Sequence, residues 1–183
     1  MNKERAAKGD GDYAVLCEYW QVYGGWGALL KSPYFYGAAL LAASAFDVWS
    51  ESGWWEMPQA ILPNLLGFSL AGYAIFLSFG SEEFRRFLSS VDVGGTSAFV
   101  SMTTTFMHFV VLQVLAILLS MVARFLSAIE VPLGFPMVDY LPCIQVLFWM
   151  FCFLVFCYAM TSLLASVVAI YRIVRMFDAF SRR

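Results

Sequence analysis

The chain has 183 residues, of which 61% are hydrophobic, 18% aromatic and only 13% charged, with a formal charge of −2 at pH 7 and a mean hydropathy of +0.73. A soluble domain carries roughly 25% charged residues, so this composition excludes an ordinary water-soluble fold and reads as an integral membrane protein. No concentrated basic face is present, which excludes nucleic acid as a partner. The four cysteines (Cys17, Cys143, Cys152, Cys157) lack CxxC or Cys/His spacing, so no metal site or disulfide framework is expected.

The opening stretch, MNKERAAKGDGDYAV, is charged and leads into no signal-peptide core, so the start is expected to be retained. Residues 13–30 place Tyr13, Leu16, Cys17, Trp20, Tyr23 and Leu30 on one helical stripe, interrupted by Gly24, Gly25 and Gly27. That pattern predicts an interfacial helix lying under a bundle, with Trp20 at the lipid or a partner. Residues 1–32 are therefore read as a cytoplasmic or interfacial segment, 33–171 as a transmembrane bundle and 172–183 as a basic tail.

Apolar runs of about 20 residues predict four spans at about 33–49, 58–80, 98–123 and 143–171. The expected fold is all-α and polytopic, four transmembrane helices with short amphipathic cytoplasmic helices. The first run is short and the last is long enough that it must tilt or project. With both termini inside, Lys3, Arg5, Lys8, Lys31, Arg85, Arg86, Arg172, Arg175, Arg182 and Arg183 are cytoplasmic and only Arg124 is outside. This asymmetry follows the positive-inside rule and supports the count of four. Between the second and third spans, SEEFRRFLSS opens with Ser81 as an N-cap and turns Phe84, Phe87 and Leu88 to one side. Arg85, Arg86, Arg172 and Arg175 are candidate contacts to anionic lipid or to a partner.

Polar residues inside the spans are the candidate site. Counted at about 1.5 Å per residue from the inner boundary, Ser44, Ser69, His108 and Thr161 fall roughly 15 Å deep, with Asn64 and Gln113 sharing a level roughly 22–24 Å deep. Asn64, Ser69, Thr104, His108, Gln113 and Thr161 are thus candidates for a polar axis or pore. Pro63 leaves a carbonyl without its helical donor, and Asn64 beside it is placed to bond across a helix interface. Gly67, Ala71 and Gly72, and Ala38 with Ala42, are small residues that allow close helix packing. Packing glue is the competing reading for each polar position. An ionisable His108 within a span is the stronger functional signal.

GFSLAG, Gly67 to Gly72, with His108 at matching depth resembles the serine and histidine of rhomboid-type intramembrane proteases, which implies a buried nucleophile at Ser69. The sequence lacks the family's second glycine and its six-span core. A b-type haem needs two axial ligands and the chain has one histidine. No nucleotide loop or paired intramembrane carboxylate is present, and no cofactor or catalytic residue is expected. The segment LPNLLGFSLAGYAIFLSFGSEEFRRFL resembles part of uncharacterised bacterial inner-membrane proteins, and the four-span layout is similar to the membrane subunit of the Kiwa antiphage system. Those resemblances imply an inner-membrane protein, multimeric and paired with a cytosolic effector. The expected function is accordingly a homo-oligomer that senses or alters membrane state, channel-like or as an effector subunit. A non-conducting anchor, scaffold or immunity protein is the alternative.

Overall fold

The computed structural model describes residues 11–78, 81–129 and 140–182. It is all-α apart from one pair of two-residue strands: α1 (Asp12–Tyr23), α2 (Gly25–Lys31), α3 (Pro33–Ser44), α4 (Phe46–Trp49), α5 (Glu56–Ser78), α6 (Glu82–Ser90), β1 (Asp92–Val93), β2 (Thr96–Ser97), α7 (Ala98–Ser127) and α8 (Leu141–Ser181). Lys3, Arg5, Lys8 and Arg183, assigned above to the cytoplasmic side, lie outside the described residues.

Among the described residues, three helices are long and apolar enough to cross a bilayer: α5 with 23 residues, α7 with 30 and α8 with 41. At about 1.5 Å per residue they measure about 35, 45 and 61 Å, against about 30 Å of hydrocarbon. The helix expected at 143–171 therefore continues to Ser181, and most of the segment read as a tail is its last turns.

The run at 33–49 is not one helix. It breaks at Ala45 (φ −99°, ψ 27°), and its longer piece, α3, has 12 residues, about 18 Å, too short to cross by itself. No glycine or proline marks the break. The Ala42 carbonyl, which an unbroken helix would pair with the Phe46 N–H, instead accepts the Trp49 indole N–H at 2.7 Å. Ala38 and Ala42 are buried against α8, where their small side chains admit close approach. Thr161 Oγ1 donates to the Tyr34 carbonyl at 2.9 Å, fixing the start of α3. At the other end Trp54 meets Phe153 and Trp55 meets Trp149 edge to face, at 5.7 and 5.6 Å. The chain thus runs antiparallel to α8 from Tyr34 to Trp55.

Helix α5 lies antiparallel to α7: Arg124 donates to Gln59 at 3.5 Å, Gln113 reaches Ser69, and Phe76 stacks on Phe99 and Phe106. Below them, Ser81 Oγ caps α6 by accepting the Phe84 N–H at 3.3 Å, and Glu82 and Glu83 complement the positive end of that helix. Phe84 and Leu88 are buried with Ala98, and Phe84 meets Phe177 edge to face at 5.1 Å. The chain then turns through Gly94 (φ 66°) and Gly95 (φ 86°), the two positive φ values that a tight hairpin between β1 and β2 requires, and enters α7 behind the Ser97 cap.

The N-terminal segment departs from the expected arrangement. Helix α1 packs against α7 instead of lying beneath the bundle. The expected stripe divides: Tyr13 is 80% exposed, Leu16 48% and Leu30 51%, whereas Cys17, Trp20 and Tyr23 are half-buried. Trp20 and Tyr23 of that stripe turn inward together with Tyr19. Gly24 (φ 100°) ends α1 in the left-handed conformation, and a Cβ there would stand 2.9 Å from that of Ala28. This turn folds α2 back so that Trp20 and Trp26 meet edge to face at 5.1 Å.

Candidate functional site

The inward face of α1 meets α7 and α8 at His108. A ring so enclosed needs partners for both nitrogens, because an unpaired buried polar atom costs about 1–3 kcal/mol. His108 is 6% exposed, and both partners are tyrosines from other helices. Tyr19 Oη of α1 is hydrogen-bonded to Nδ1, and Tyr158 Oη of α8 lies 3.3 Å from Nε2. Tyr158 Oη is in turn 3.1 Å from Tyr23 Oη. The Tyr23 ring lies flat on the imidazole, centroids 3.7 Å apart and planes 14° from parallel.

A neutral imidazole has one donor and one acceptor, so this chain has two complete proton arrangements. In one, Tyr19 donates to Nδ1, Nε2–H donates to Tyr158, and Tyr158 donates to Tyr23. In the other, Tyr23 donates to Tyr158, Tyr158 to Nε2, and Nδ1–H to Tyr19. Swapping the tautomer and rotating the hydroxyls interconverts them with no heavy atom displaced. Burial, and secondarily the neighbouring Tyr23, push the Tyr19 hydroxyl above its ordinary value of 10.0, which keeps it protonated.

Two spaces flank the ring. Between the α1–α2 turn and the α7–α8 pair lies a cavity of about 280 Å³, bounded by Tyr19, Trp20, Trp26, His108, Leu112 and Phe151 among others. Beyond the ring a crevice of about 40 Å³ is bounded by Tyr23, Ser32, Thr105, Tyr158 and Ser162 among others. That is room for one or two water molecules among several hydroxyls.

The other polar candidates divide into separate groups. Gln113, with no exposed surface, donates to Ser69 Oγ at 3.2 Å, and Ser69 donates to the Leu65 carbonyl at 2.6 Å. Gln113 Oε1 has no partner among the described residues. Asn64, expected to share a level with Gln113 and bond across an interface, is exposed and turns back to the Ala60 carbonyl of its own helix at 3.2 Å. Ser44 likewise bonds the Leu41 carbonyl and is exposed. Thr104 is buried, and Thr161 serves the α3–α8 contact. His108 and Thr104 thus belong to α7's inner face, Ser69 and Gln113 form their own pair, and Asn64 faces outward.

Ser69 and His108, the two residues of the hydrolase reading, direct their hydrogen bonds to different partners and share none. Among the described residues, no three of His, Cys, Asp and Glu stand together as a metal-binding group. Of the packing residues, Ala38 and Ala42 are in the core, Gly72 is half-buried, and Gly67 and Ala71 are exposed. Arg85, Arg86, Arg172 and Arg175 are all exposed, with Arg86 3.8 Å from Glu82. Trp20 borders the apolar cavity.

Tyr19 and Tyr158 were missed in the sequence. Tyr158 carries a usable signal, since a phenol hydroxyl amid an apolar run must find a partner. Tyr19 stands three residues after Leu16 and four before Tyr23, so helical spacing sets it beside the stripe that Leu16 and Tyr23 define, a signal the sequence offered. Comparison with family models, with curated proteins and with solved structures returned no match, so the reading of this site rests on its geometry.

Proposed function

We propose that this chain is a self-associating membrane subunit that senses or alters the state of the bilayer and acts with a cytosolic partner. The observation that supports it best is the attachment of the N-terminal helix α1 to the two longest membrane helices through His108 and its tyrosines. A histidine at that depth costs free energy unless its environment uses it, and here it holds a short helix against the bundle. Release and docking of α1 is then the two-state element through which bilayer state is read.

In this reading α3 and α4 complete a fourth, short crossing beside α8, both termini are cytoplasmic, and the membrane is the bacterial inner membrane. Arg85, Arg86, Arg172 and Arg175 then face one aqueous side and Arg124 the other, as the positive-inside rule requires. Self-association uses the outward face of α5, where Asn64, Gly67 and Ala71 are exposed and α5 is the least covered of the three long helices. A second copy there pairs an amide that lipid cannot satisfy, and the small residues permit close approach. The α6 surface and the end of α8 present the docking site for the cytosolic partner.

Cys17, half-buried on α1, is a natural reporter. In a Cys143→Ser background, its maleimide labelling in vesicles is expected to change with acyl-chain length, and to lose that dependence in His108→Phe. A rate indifferent to chain length in the parent protein refutes the sensing role.

A further inference from the structure

We infer that the apolar cavity beside His108 is a binding site for one acyl chain of a membrane phospholipid. The inference rests on the sensing role just proposed and names what is sensed. The cavity, about 280 Å³, is close to twice the roughly 150 Å³ that accommodates one benzene in an engineered apolar cavity, so it is sized for a stretch of hydrocarbon chain. The polar atoms in its wall, those of Tyr19, His108 and Tyr158, are hydrogen-bonded to one another, and the remaining wall is made of apolar and tryptophan side chains. Water therefore gains no hydrogen bond inside, and an empty space of that size forfeits the dispersion contacts of every wall.

The position identifies the occupant. Leu112 and Leu115 lie near the middle of α7, and Phe151, Leu154 and Val155 lie in the membrane-spanning stretch of α8. At the rim, Trp26 is 69% exposed, Phe151 50% and Leu115 41%. At that depth the surrounding solvent is phospholipid chains, which differ from a water-borne ligand in being at hand and already apolar. A chain entering past this rim contacts Trp20 and Trp26 on one side and Leu112 on the other. It therefore bridges the N-terminal turn and α7, against the hydrogen-bonded Tyr19 and His108 in the cavity wall. Chain length and order in the bilayer thereby bear on whether α1 stays docked.

The test reconstitutes the full chain in phosphatidylcholine and phosphatidylglycerol vesicles containing a phospholipid with a photoreactive diazirine within its acyl chain, and maps adducts by mass spectrometry. Adducts are expected to concentrate on Trp26, Leu112, Leu115 and Phe151, above their level at Ile75 and Val167, which are 60% and 56% exposed elsewhere on the bundle. In Leu112→Trp, whose indole fills the space, that excess is expected to vanish while helical circular dichroism is retained. Should Leu112→Trp not fold, Val111→Phe makes the same test from the adjoining wall. Even labelling across all exposed positions, or an excess untouched by either filled variant, overturns the site. Labelling of the cavity by a photoreactive free fatty acid but not by the phospholipid overturns the assigned source. If Cys17 labelling still follows chain length while the adduct pattern is even, the sensing role survives and the acyl-chain site falls; if neither responds, both fall.

Discussion

Removing the Tyr19 hydroxyl, and nothing else, isolates the bond on which docking of α1 is proposed to depend. Tyr19→Phe preserves the ring and its packing but leaves His108 Nδ1 without its partner in a site where the histidine is 6% exposed. In water-soluble proteins an orphaned buried group costs about 1–3 kcal/mol. Between membrane helices, measured side-chain hydrogen bonds average about 0.6 and reach about 1.7 kcal/mol, because the separated state finds other partners. The membrane range is the appropriate one here, and it corresponds to about a threefold to about a twentyfold shift in the docked-to-released ratio. The stacking of Tyr23 on His108 is left intact, so docking should weaken and not disappear. The assay is Cys17 labelling in a Cys143→Ser background, run as a cycle with His108→Leu. Labelling is expected to speed up by that factor in Tyr19→Phe, with little further change when His108 is already leucine. Equal acceleration in both backgrounds would mean that the hydroxyl acts elsewhere, and would refute the reasoning.

The same bond has a pH signature. Docked Tyr19 holds its proton above the ordinary 10.0, whereas released Tyr19 ionises near that value, so docking is fully favoured below 10.0 and weakens progressively as the pH rises above it toward the docked value; a spin label on Cys17 should gain mobility only as the pH is raised above 10.0, and Tyr19→Phe should abolish that rise. Ala38→Leu, at a position with no exposed surface against α8, should cost about 1–3 kcal/mol by overpacking and lower the unfolding midpoint in detergent, while Ala43→Leu on the exposed face of the same helix should not; equal midpoints would show that α3 is not closely packed. Gly67→Ile should shift the native mass of the purified protein toward the monomer by blocking approach along α5, with helix content unchanged. An unaltered mass would remove α5 from the interface.

What the sequence made legible was whatever depends on local composition. Runs of apolar residues located α5, α7 and α8, and Ser81 was readable as the α6 cap from its own turn. His108 stood out because an ionisable group in a span is rare. Its partners did not, because they depend on how α1 crosses α7, a property set by the fit of several side chains and by the Gly24 turn, not by any period in residues 13–30. The break at Ala45 was equally hidden. Nothing in AASAFDVW disfavours a helix, and its compensation is a hydrogen bond from Trp49 to a carbonyl seven residues earlier. Depth counting placed Gln113 with Asn64, but the register of α5 on α7 pairs it with Ser69, five residues away, more than a full turn.

Helix α8 runs for 41 residues without an internal glycine, its one proline in the first turn, so nothing in it provides a hinge. From Tyr158 to Ser181 is about 35 Å of stiff rod, and a tilt of roughly 10° about the tyrosine sweeps the far end through about 6 Å. Small angular adjustments where the rod is gripped by the histidine thus arrive at Met176 and Phe180, beside Phe84 and Leu88, as displacements comparable to a side chain's width. In the proposed sensing role such a rod is a gear: a movement too slight to matter among the acyl chains becomes a mechanical stroke at the aromatic end.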